Sequence, residues 1–400
     1  MKNGWETKAL GQVCSFLNRG ISPKYLESGG ICVLNQKCVR DHRVSFDLSR
    51  RHDAHAKKVS NERLVQAGDV LVNSTGTGTL GRVGQIREAP SEPTTVDSHV
   101  TIVRPAPGKF YPEFFGYMLV VIEDAIKEAG EGCGGQTELA RSILAEKFSV
   151  HYPESLAEQQ RIVGILDEAF EGIARAKANA EKNLQNARAL FESHLQSVFY
   201  HRGDGWVAKT LEEISTTFGR GKSKHRPRNE PKLYGGKYPF IQTGDVRNAE
   251  HFVTEYSQTY SEMGLAQSKL WPKGTICITI AANIAETAIL DFDACFPDSV
   301  IGVVPDPKQA DIGFVEYLLQ SFKARLQSLG KGSAQANINM GTFEHERFPF
   351  PSVAVQKEIV TKFDALSEET QRLAAVYTRK LAALEGLKKS LLHQAFSGEL

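Results

Sequence analysis

The chain has 400 residues, of which 41% are hydrophobic and 24% are charged, ordinary values for a soluble globular protein that argue against a disordered or fibrous chain. At about 150 residues per domain, this length predicts two or three domains. Lysine and arginine number 48 against 47 acidic residues, so the net charge of +1 argues against a uniformly basic protein that coats nucleic acid. Such a total can still conceal local segregation of charge.

The cysteines and apolar segments predict a cytoplasmic protein. The six cysteines form no Cys-x-x-Cys pair, which favours reduced thiols over a disulfide scaffold. No signal peptide is evident at the start of the sequence. The most apolar long stretch, residues 275–290, is interrupted by Asn283 and Glu286 and is shorter than the about 20 apolar residues that span a membrane. We therefore expect no membrane association.

The first 152 residues predict a globular domain that mixes strands with short helices. Runs rich in β-branched residues and bounded by turn-forming residues occur at 69–72 and 100–103. A short helix is predicted near residues 114–128. This mixture is typical of an α/β or α+β fold.

A long amphipathic helix is predicted over residues 153–203. Ser155 and Glu158 form a capping-box pattern just before an apolar period begins. Some 45 residues at about 1.5 Å each make a rod of roughly 65 Å. The residues of its apolar stripe expected to pair with another helix are Ile162, Leu166, Ile173, Leu184 and Phe191.

The rest of the chain repeats this organisation. The motif Gly4-Trp5-x-x-Lys8-x-Leu10 returns as Gly205-Trp206-x-x-Lys209-x-Leu211, and Arg19-Gly20-x-Ser22 returns as Arg220-Gly221-x-Ser223. A period near 200 residues, present twice, indicates two homologous halves rather than a solenoid. The second half predicts a domain over residues 204–350 and a second long helix over 351–400 that Gly398 ends. The pairing stripe of this helix is Ile359, Phe363, Leu366, Leu373, Leu384 and Leu391.

The two helices are expected to pair with each other. A single amphipathic rod cannot bury its stripe alone, and an antiparallel coiled coil would satisfy both copies. The sequence thus predicts two homologous globular domains joined by two long antiparallel helices with pseudo-two-fold symmetry. The alternative is that each helix packs independently on its own domain.

Positive charge is concentrated at equivalent places in the two halves. Residues 19–58 hold nine basic and four acidic residues, and residues 220–251 hold eight basic and three acidic residues, an excess of five in each segment. A basic run alone is usually a solvated surface, but two runs in register favour phosphate-contacting faces. The basic candidates for DNA binding are Arg19, Lys37, Arg40, Arg43, Arg82, Arg220, Lys222, Lys224, Arg226, Arg228 and Arg247.

Polar residues lie between these basic residues. Asn and Gln can read adenine edges, and hydroxyl groups in a glycine-rich loop suit close approach to a phosphate or a base. The glycine-rich loop at residues 73–82 has a less polar counterpart at 279–286, and an ordinary hairpin loop is an equally good interpretation of it. The polar candidates for DNA binding are Asn35, Gln36, Asn73, Ser74, Thr75, Thr77, Gln242, Thr243 and Asn283.

Recognisable catalytic chemistry is not found in the sequence. The segment 219–223 differs from a phosphate-binding loop because Thr216 stands where that pattern requires glycine. No nucleophile elbow, zinc-protease motif or paired His/Cys metal set occurs. We expect neither catalytic residues nor a metal site. A self-contained DNA methyltransferase and a coiled-coil scaffold without DNA binding remain as alternatives.

In its order of motifs, the whole chain resembles the specificity subunits of type I restriction–modification systems. The repeated Gly-Trp-x-x-Lys-x-Leu start, the segments 240–246, 73–81, 294–300 and 335–339, the two helix entries at 158–163 and 355–360, and the ending 396–400 carry this resemblance. Val355 departs from the first copy, which has Glu158 at this place.

The resemblance implies two target-recognition domains, each of which reads one half of a bipartite site in double-stranded DNA. The helices would set the distance between half-sites and dock the modification subunits. Two modification subunits would bring S-adenosylmethionine, and two restriction subunits would bring ATP and Mg. The chain itself would be non-catalytic and would bind no cofactor.

Overall fold

A computed structural model describes residues 4–130, 138–224, 227, 229–281, 283–330 and 338–400. The chain divides into two compact units, residues 1–180 with 379–400 and residues 181–378. Both divisions fall inside long helices, so each unit contains part of both.

The first unit combines strands with three short helices and parts of the two long helices, among the residues described. Its strands are β1 (Trp5–Ala9), β2 (Cys14–Arg19), β3 (Tyr25–Leu26), β4 (Ile31–Leu34), β5 (Val39–Arg40), β6 (His42–Val44), β7 (Arg50–His52), β8 (Val70–Asn73), β9 (Val83–Gln85), β10 (Thr94–Val96), β11 (Val100–Pro105) and β12 (Ser149–Pro153). The helices of this half are α1 (Pro112–Val121), α2 (Glu123–Glu128), α3 (Arg141–Glu146) and α4 (Leu156–Tyr200), of which α4 continues into the second unit.

The second half repeats this mixture. Its strands are β13 (Val207–Lys209), β14 (Ser215–Arg220), β15 (Tyr234–Phe240), β16 (Phe252–Val253), β17 (Gln258–Tyr260), β18 (Leu270–Trp271), β19 (Ile276–Thr279), β20 (Thr287–Leu290), β21 (Ala294–Cys295), β22 (Val300–Pro305) and β23 (Phe348–Phe350). Its helices are α5 (Thr243–Asn248), α6 (Glu262–Ala266), α7 (Ile312–Gly330), α8 (Met340–Glu344) and α9 (Val353–Ser397), of which α9 ends in the first unit.

The sheets confirm that the chain is duplicated. The main sheet of the first unit has the order β2-β11-β8-β9-β6-β5, and that of the second unit has the order β14-β22-β19-β20-β16. In both, four antiparallel strands are followed by a parallel one, β6 on β9 and β16 on β20. A smaller four-stranded sheet accompanies each, in the orders β10-β4-β7-β3 and β17-β15-β21-β18, together with the pairs β1-β12 and β13-β23.

The central strands are apolar along their whole length because both faces are covered. All residues of β8, β19 and β20 are buried, and so are the first four of β11. A continuous apolar run is expected of a strand that is buried on both faces. The strands predicted at 69–72 and 100–103 are therefore confirmed, each to within one or two residues.

The repeated Arg-Gly-x-Ser motif has a structural cause. Gly20 and Gly221 follow β2 and β14, and their amides donate to the carbonyls of Val100 (3.0 Å) and Val300 (2.9 Å). A Cβ atom at Gly20 would overlap the Val96 carbonyl, and one at Gly221 would overlap the Phe296 carbonyl. Only glycine permits this approach of two backbones.

Both predicted long helices are present, and each has 45 residues. Gly398 follows α9 with a φ of +79°, which confirms the predicted glycine stop. In the first unit, Arg161 of α4 donates to the carbonyl of Leu400, and Lys177 lies 2.6 Å from Glu385 of α9. Residue numbers rise along one helix as they fall along the other, so the helices run antiparallel there.

The helix stripes serve two kinds of contact at once. Ile162 and Leu166 of α4 are fully buried in the first unit's core, together with Leu392 and Phe396 of α9. Phe363 is buried in the second unit's core, where Phe191 packs beside it. Pairing between helices and packing on a domain are therefore not exclusive alternatives. The remaining predicted pairing residues are half-buried: Ile173, Leu184, Ile359, Leu366, Leu373, Leu384 and Leu391.

Candidate nucleic-acid interface

The hairpin formed by β5 and β6 presents an exposed basic element of the first unit. Arg40 and Arg43 are exposed and lie directly opposite each other in the strand register. Like charges at such a position destabilise a sheet unless an anion joins them. Asp41 and His42 form the two-residue turn with φ of 51° and 59°, a left-handed conformation that these residue types adopt more readily than most.

A buried carboxylate holds this hairpin in place. The side chain of Glu123 on α2 is largely buried, and its carboxylate lies 3.3 Å from His42 and 2.6 Å from Lys127. It also accepts a hydrogen bond from the amide of Val83 at 3.0 Å. Burial opposes ionisation of Glu123, but the hydrogen bonds from His42 and Lys127 outweigh burial and keep the pKa of this carboxyl below its ordinary value. The hairpin is thus fixed to the domain before any ligand binds.

Several predicted contact residues instead build the first unit. Asn73 is buried and donates to the Gln36 carbonyl, and buried Ser74 bonds to Thr101 at 2.5 Å. The prediction that these two side chains touch DNA is therefore wrong: they stabilise the base of the loop. Asn35 caps a short turn by accepting from the amide of Lys37 and donates to the Leu48 carbonyl.

The glycine-rich loop is held by hydrogen bonds to neighbouring parts of the domain and within itself. Thr75 bonds to His99 at 2.7 Å, and Thr79 donates to the Gln36 side chain at 2.6 Å. Arg82 donates to the Gly78 carbonyl at 2.9 Å. This pattern supports the alternative of an ordinary hairpin loop, from which Thr77 and Gly78 project into solvent.

The arginines of the repeated Arg-Gly-x-Ser motif are also engaged within the chain. Arg19 lies 2.6 Å from Glu138 and donates to the Leu139 carbonyl at 2.8 Å. Arg220 donates twice to the Asp298 carbonyl. Both guanidinium groups thus hold neighbouring loops, and the contact of these arginines with DNA stays a prediction. Lys37 is exposed.

The second unit presents a different element at the corresponding place. Instead of a hairpin, the short helix α5 precedes the strand that pairs parallel with β20. Gln242 is exposed at the start of α5 and donates to Gln258 at 2.8 Å, and Arg247 donates to Asn283 at 3.3 Å. Thr243 begins the helix and is half-buried, while Lys222 and Lys224 are exposed. The predicted residues Arg226 and Arg228 lie outside the described residues.

Sequence reasoning missed two buried glutamines that perform the same task in both halves. Gln159 accepts from the amide of Tyr111 (2.8 Å) and donates to the carbonyls of Pro153 (2.9 Å) and Lys109 (3.3 Å). Gln356 repeats these contacts with the amide of Asp311 and the carbonyls of Pro351 and Gln309 at the same three distances. Their return at an offset of 197 residues was the available signal.

A tyrosine–aspartate pair also recurs. The hydroxyl of Tyr117 donates to Asp167 at 2.5 Å, and that of Tyr317 donates to Asp364 at 2.7 Å. Burial and the neighbouring Asp167 carboxylate raise the pKa of Tyr117 to about 12. The first pair ties α1 to α4 and the second ties α7 to α9, which fixes each domain on a long helix.

The second unit contains a His–Glu ion pair that resembles the His42–Glu123 pair of the first unit. His251 lies 2.8 Å from the fully buried carboxylate of Glu316, and its ring stacks on Tyr317. Burial acts to lower the pKa of His251, but the hydrogen bond and charge of Glu316 raise it above its ordinary value overall. This pair anchors the segment between α5 and β16.

Within the part of the chain that the structure describes, no cluster of His, Cys, Asp or Glu could hold a metal ion. No described helix is long and apolar enough to cross a membrane.

A duplicated chain with two α+β domains, distinct polar surfaces on one scaffold and two long antiparallel helices defines a class of two-domain DNA-recognition proteins. The family model for the type I restriction modification DNA specificity domain matches residues 2–183 and again residues 203–378. The chain therefore belongs to this family and carries its domain twice. The recognised resemblance and the predicted fold class are confirmed, and neither a methyltransferase nor a scaffold without DNA is favoured.

Individual relatives have low sequence identity to this chain. A protein of Methanocaldococcus jannaschii named as the type I restriction enzyme MjaX specificity subunit is 20% identical over 414 residues, which cover 99% of this chain and 93% of that relative. The type I restriction enzyme EcoKI specificity subunit of Escherichia coli is 22% identical over 206 residues, 49% of this chain and 44% of that relative.

Solved structures show the same fold. A chain solved in a study of complex assembly and conformational transition of the type I R-M system has a TM-score of 0.82 at 17% identity, with 100% of this chain and 99% of that chain covered. The HsdS subunit of Thermoanaerobacter tengcongensis has a TM-score of 0.65 at 17% identity, with 100% and 98% covered.

Proposed function

We propose that this chain is the non-catalytic DNA-recognition subunit of a type I restriction–modification complex, in which each domain reads one half of a bipartite target. The single observation that carries the proposal is the pair of unlike exposed elements, the Arg40–Arg43 hairpin and the Gln242–Arg247 helix, on one duplicated scaffold. Arginine recognises guanine and glutamine recognises adenine in the major groove, so unlike elements suit unlike half-sites.

The partners in this proposal supply the chemistry. Two modification subunits, docked on α4 and α9, would bind S-adenosylmethionine and methylate DNA. Two restriction subunits would bind ATP and Mg and cleave it. The antiparallel helices would set the distance between the half-sites, because a helix rises by a fixed amount of about 1.5 Å per residue.

The salt dependence of DNA binding tests this role. If the complex with its modification subunits neutralises about ten phosphates, a plot of log affinity against log salt concentration has a slope of about −9. Replacement of both hairpin arginines (Arg40→Ala with Arg43→Ala) should weaken binding and reduce the magnitude of the slope by about 2. Binding is measured by fluorescence anisotropy with a duplex that contains the sequence that the complex methylates.

The matched control removes the same charge elsewhere. Arg379 and Lys380 are exposed on α9, and Arg379→Ala with Lys380→Ala should leave the slope unchanged. A wild-type slope near zero, or equal effects of the two double variants, contradicts the proposal.

A further inference from the structure

A groove of about 590 Å³ lies beside the hairpin of the first unit. Its walls are the hairpin turn, the end of the glycine-rich loop, α2 and the parts of α4 and α9 that belong to this unit. Five lysine and arginine side chains line it against three carboxylates, an excess of two positive charges.

The charges that remain unmatched point to an anion. Two of the carboxylates are neutralised inside the groove, Glu123 by Lys127 and Glu385 by Lys177, each at 2.6 Å. The third, Asp41, is exposed in the hairpin turn. Arg40, Arg82 and Lys388 have no ion-pair partner among the residues described. A partly enclosed cleft with excess charge of one sign focuses its field on a ligand of the opposite sign.

The second unit contains a corresponding groove of about 760 Å³ with the opposite balance. Residues of the fourth strand of the main sheet (β20), of the domain helix α7 and of both long helices line it. Only two basic residues, Arg188 and Lys323, line it against the three carboxylates Glu192, Glu250 and Glu286. By the helix offset of 197 residues, Arg188 corresponds to Glu385, and Phe191 corresponds to Lys388. The excess of positive charge, and with it the preference for an anionic ligand, is thus a property of the first groove and is not shared by the second.

We infer that the groove of the first unit binds the phosphodiester backbone of DNA next to the bases that the hairpin contacts. The groove and the hairpin are continuous, because Arg40 belongs to both. An extended polyanion that reaches the hairpin therefore meets Arg82 and Lys388 next. This inference rests on the proposed function and adds phosphate contacts from α9, a helix otherwise assigned to spacing and docking.

The test compares charge removal in the two grooves, in the full chain with its modification subunits. The variant Arg82→Gln with Lys388→Gln should lower the salt slope of DNA binding by about 2, since each phosphate contact contributes about 0.9. Lys388→Gln alone, which leaves the Arg82 hydrogen bond to the glycine-rich loop intact, should lower it by about 1. The control Arg188→Gln with Lys323→Gln should leave the slope as in the wild type.

The outcomes separate this inference from the proposed function. If wild-type complex binds its bipartite duplex and both groove variants keep the full slope, the inference fails and the proposed function stands. Light scattering reports whether the groove variants still bind the modification subunits. If they no longer do while the salt slope is kept, the groove holds an acidic protein segment, which also overturns the inference. A wild-type complex without sequence preference would overturn the proposed function itself.

Discussion

At the scale of single residues, the two buried glutamines hold the entrance of each long helix. Each side-chain amide hydrogen-bonds to one backbone N–H and two backbone carbonyls that are buried or part-buried, at the same distances in both halves. Buried polar backbone groups without partners are costly, which explains why the same residue type stands at both places. Gln159 thereby fixes where the first domain ends and the helix begins.

Replacement of this glutamine should be strongly destabilising. Gln159→Leu keeps the approximate volume but leaves the Tyr111 amide and the Pro153 carbonyl unsatisfied, so we expect the free energy of unfolding to fall by about 2–3 kcal/mol. The measurement is urea unfolding followed by circular dichroism. Gln160→Leu, at the exposed neighbouring position, is the control and should change stability by less than about 0.5 kcal/mol. Equal effects of the two variants would show that the buried contacts are unimportant.

Residue types alone did not show which polar groups face solvent. The hydroxyls and amides of residues 73–75 suit a DNA-binding loop, yet Asn73 and Ser74 point into the domain because the loop closes on Gln36 and Thr101. Arg19 and Arg220 were predicted from charge to contact DNA, and their guanidinium groups also bind loops that are distant in sequence. Tertiary packing decides whether a polar side chain faces the solvent or the domain interior, and a single sequence does not show that packing.

At the scale of elements, the long helices followed from local signals. These signals lie in the helix sequence or directly beside it: a capping serine, an apolar period of 3.6 residues and a final glycine. The sequence did not predict that the first half has a hairpin where the second half has α5. Asp41 and His42 form the hairpin turn without the glycine that is typical of such turns. The local pattern there was too weak to choose an element.

The aromatic cluster around Phe363 tests how α9 is held in the second unit. Phe363 is 1% exposed, and its ring lies 5.1 Å from that of Tyr317 and 6.0 Å from that of Phe199 on α4. Phe363→Ala should lower the free energy of unfolding by about 3–5 kcal/mol because it opens a cavity that rigid neighbours cannot fill. Denaturant titration monitored by tryptophan fluorescence gives the value.

The control for this change lies on the same helix. Val355 is 39% exposed, and Val355→Ala should cost less than about 1 kcal/mol. A loss of similar size at both positions would mean that α9 does not pack on the second unit through Phe363.

At the scale of the whole molecule, duplication explains both the length and the charge. A unit of about 200 residues occurs twice. Both copies keep the strand order of the main sheet, the close backbone approach at Gly20 and Gly221, and the hydrogen bonds of Gln159 and Gln356. The net charge of +1 conceals two equally basic segments and, within the structure, one cationic and one acidic groove. The copies differ in the exposed elements that we propose contact DNA, the β5–β6 hairpin in the first copy and α5 in the second.

The most direct test of the account maps methylated positions in cells that carry the chain with its modification subunits. The wild-type chain should give one bipartite motif, two specified blocks of bases separated by a gap of fixed length. Arg40→Ala with Arg43→Ala should relax or alter one block only, and Gln242→Ala with Arg247→Ala should affect only the other. A continuous motif, or simultaneous changes in both blocks by either variant, would contradict the claim that each domain reads its own half-site.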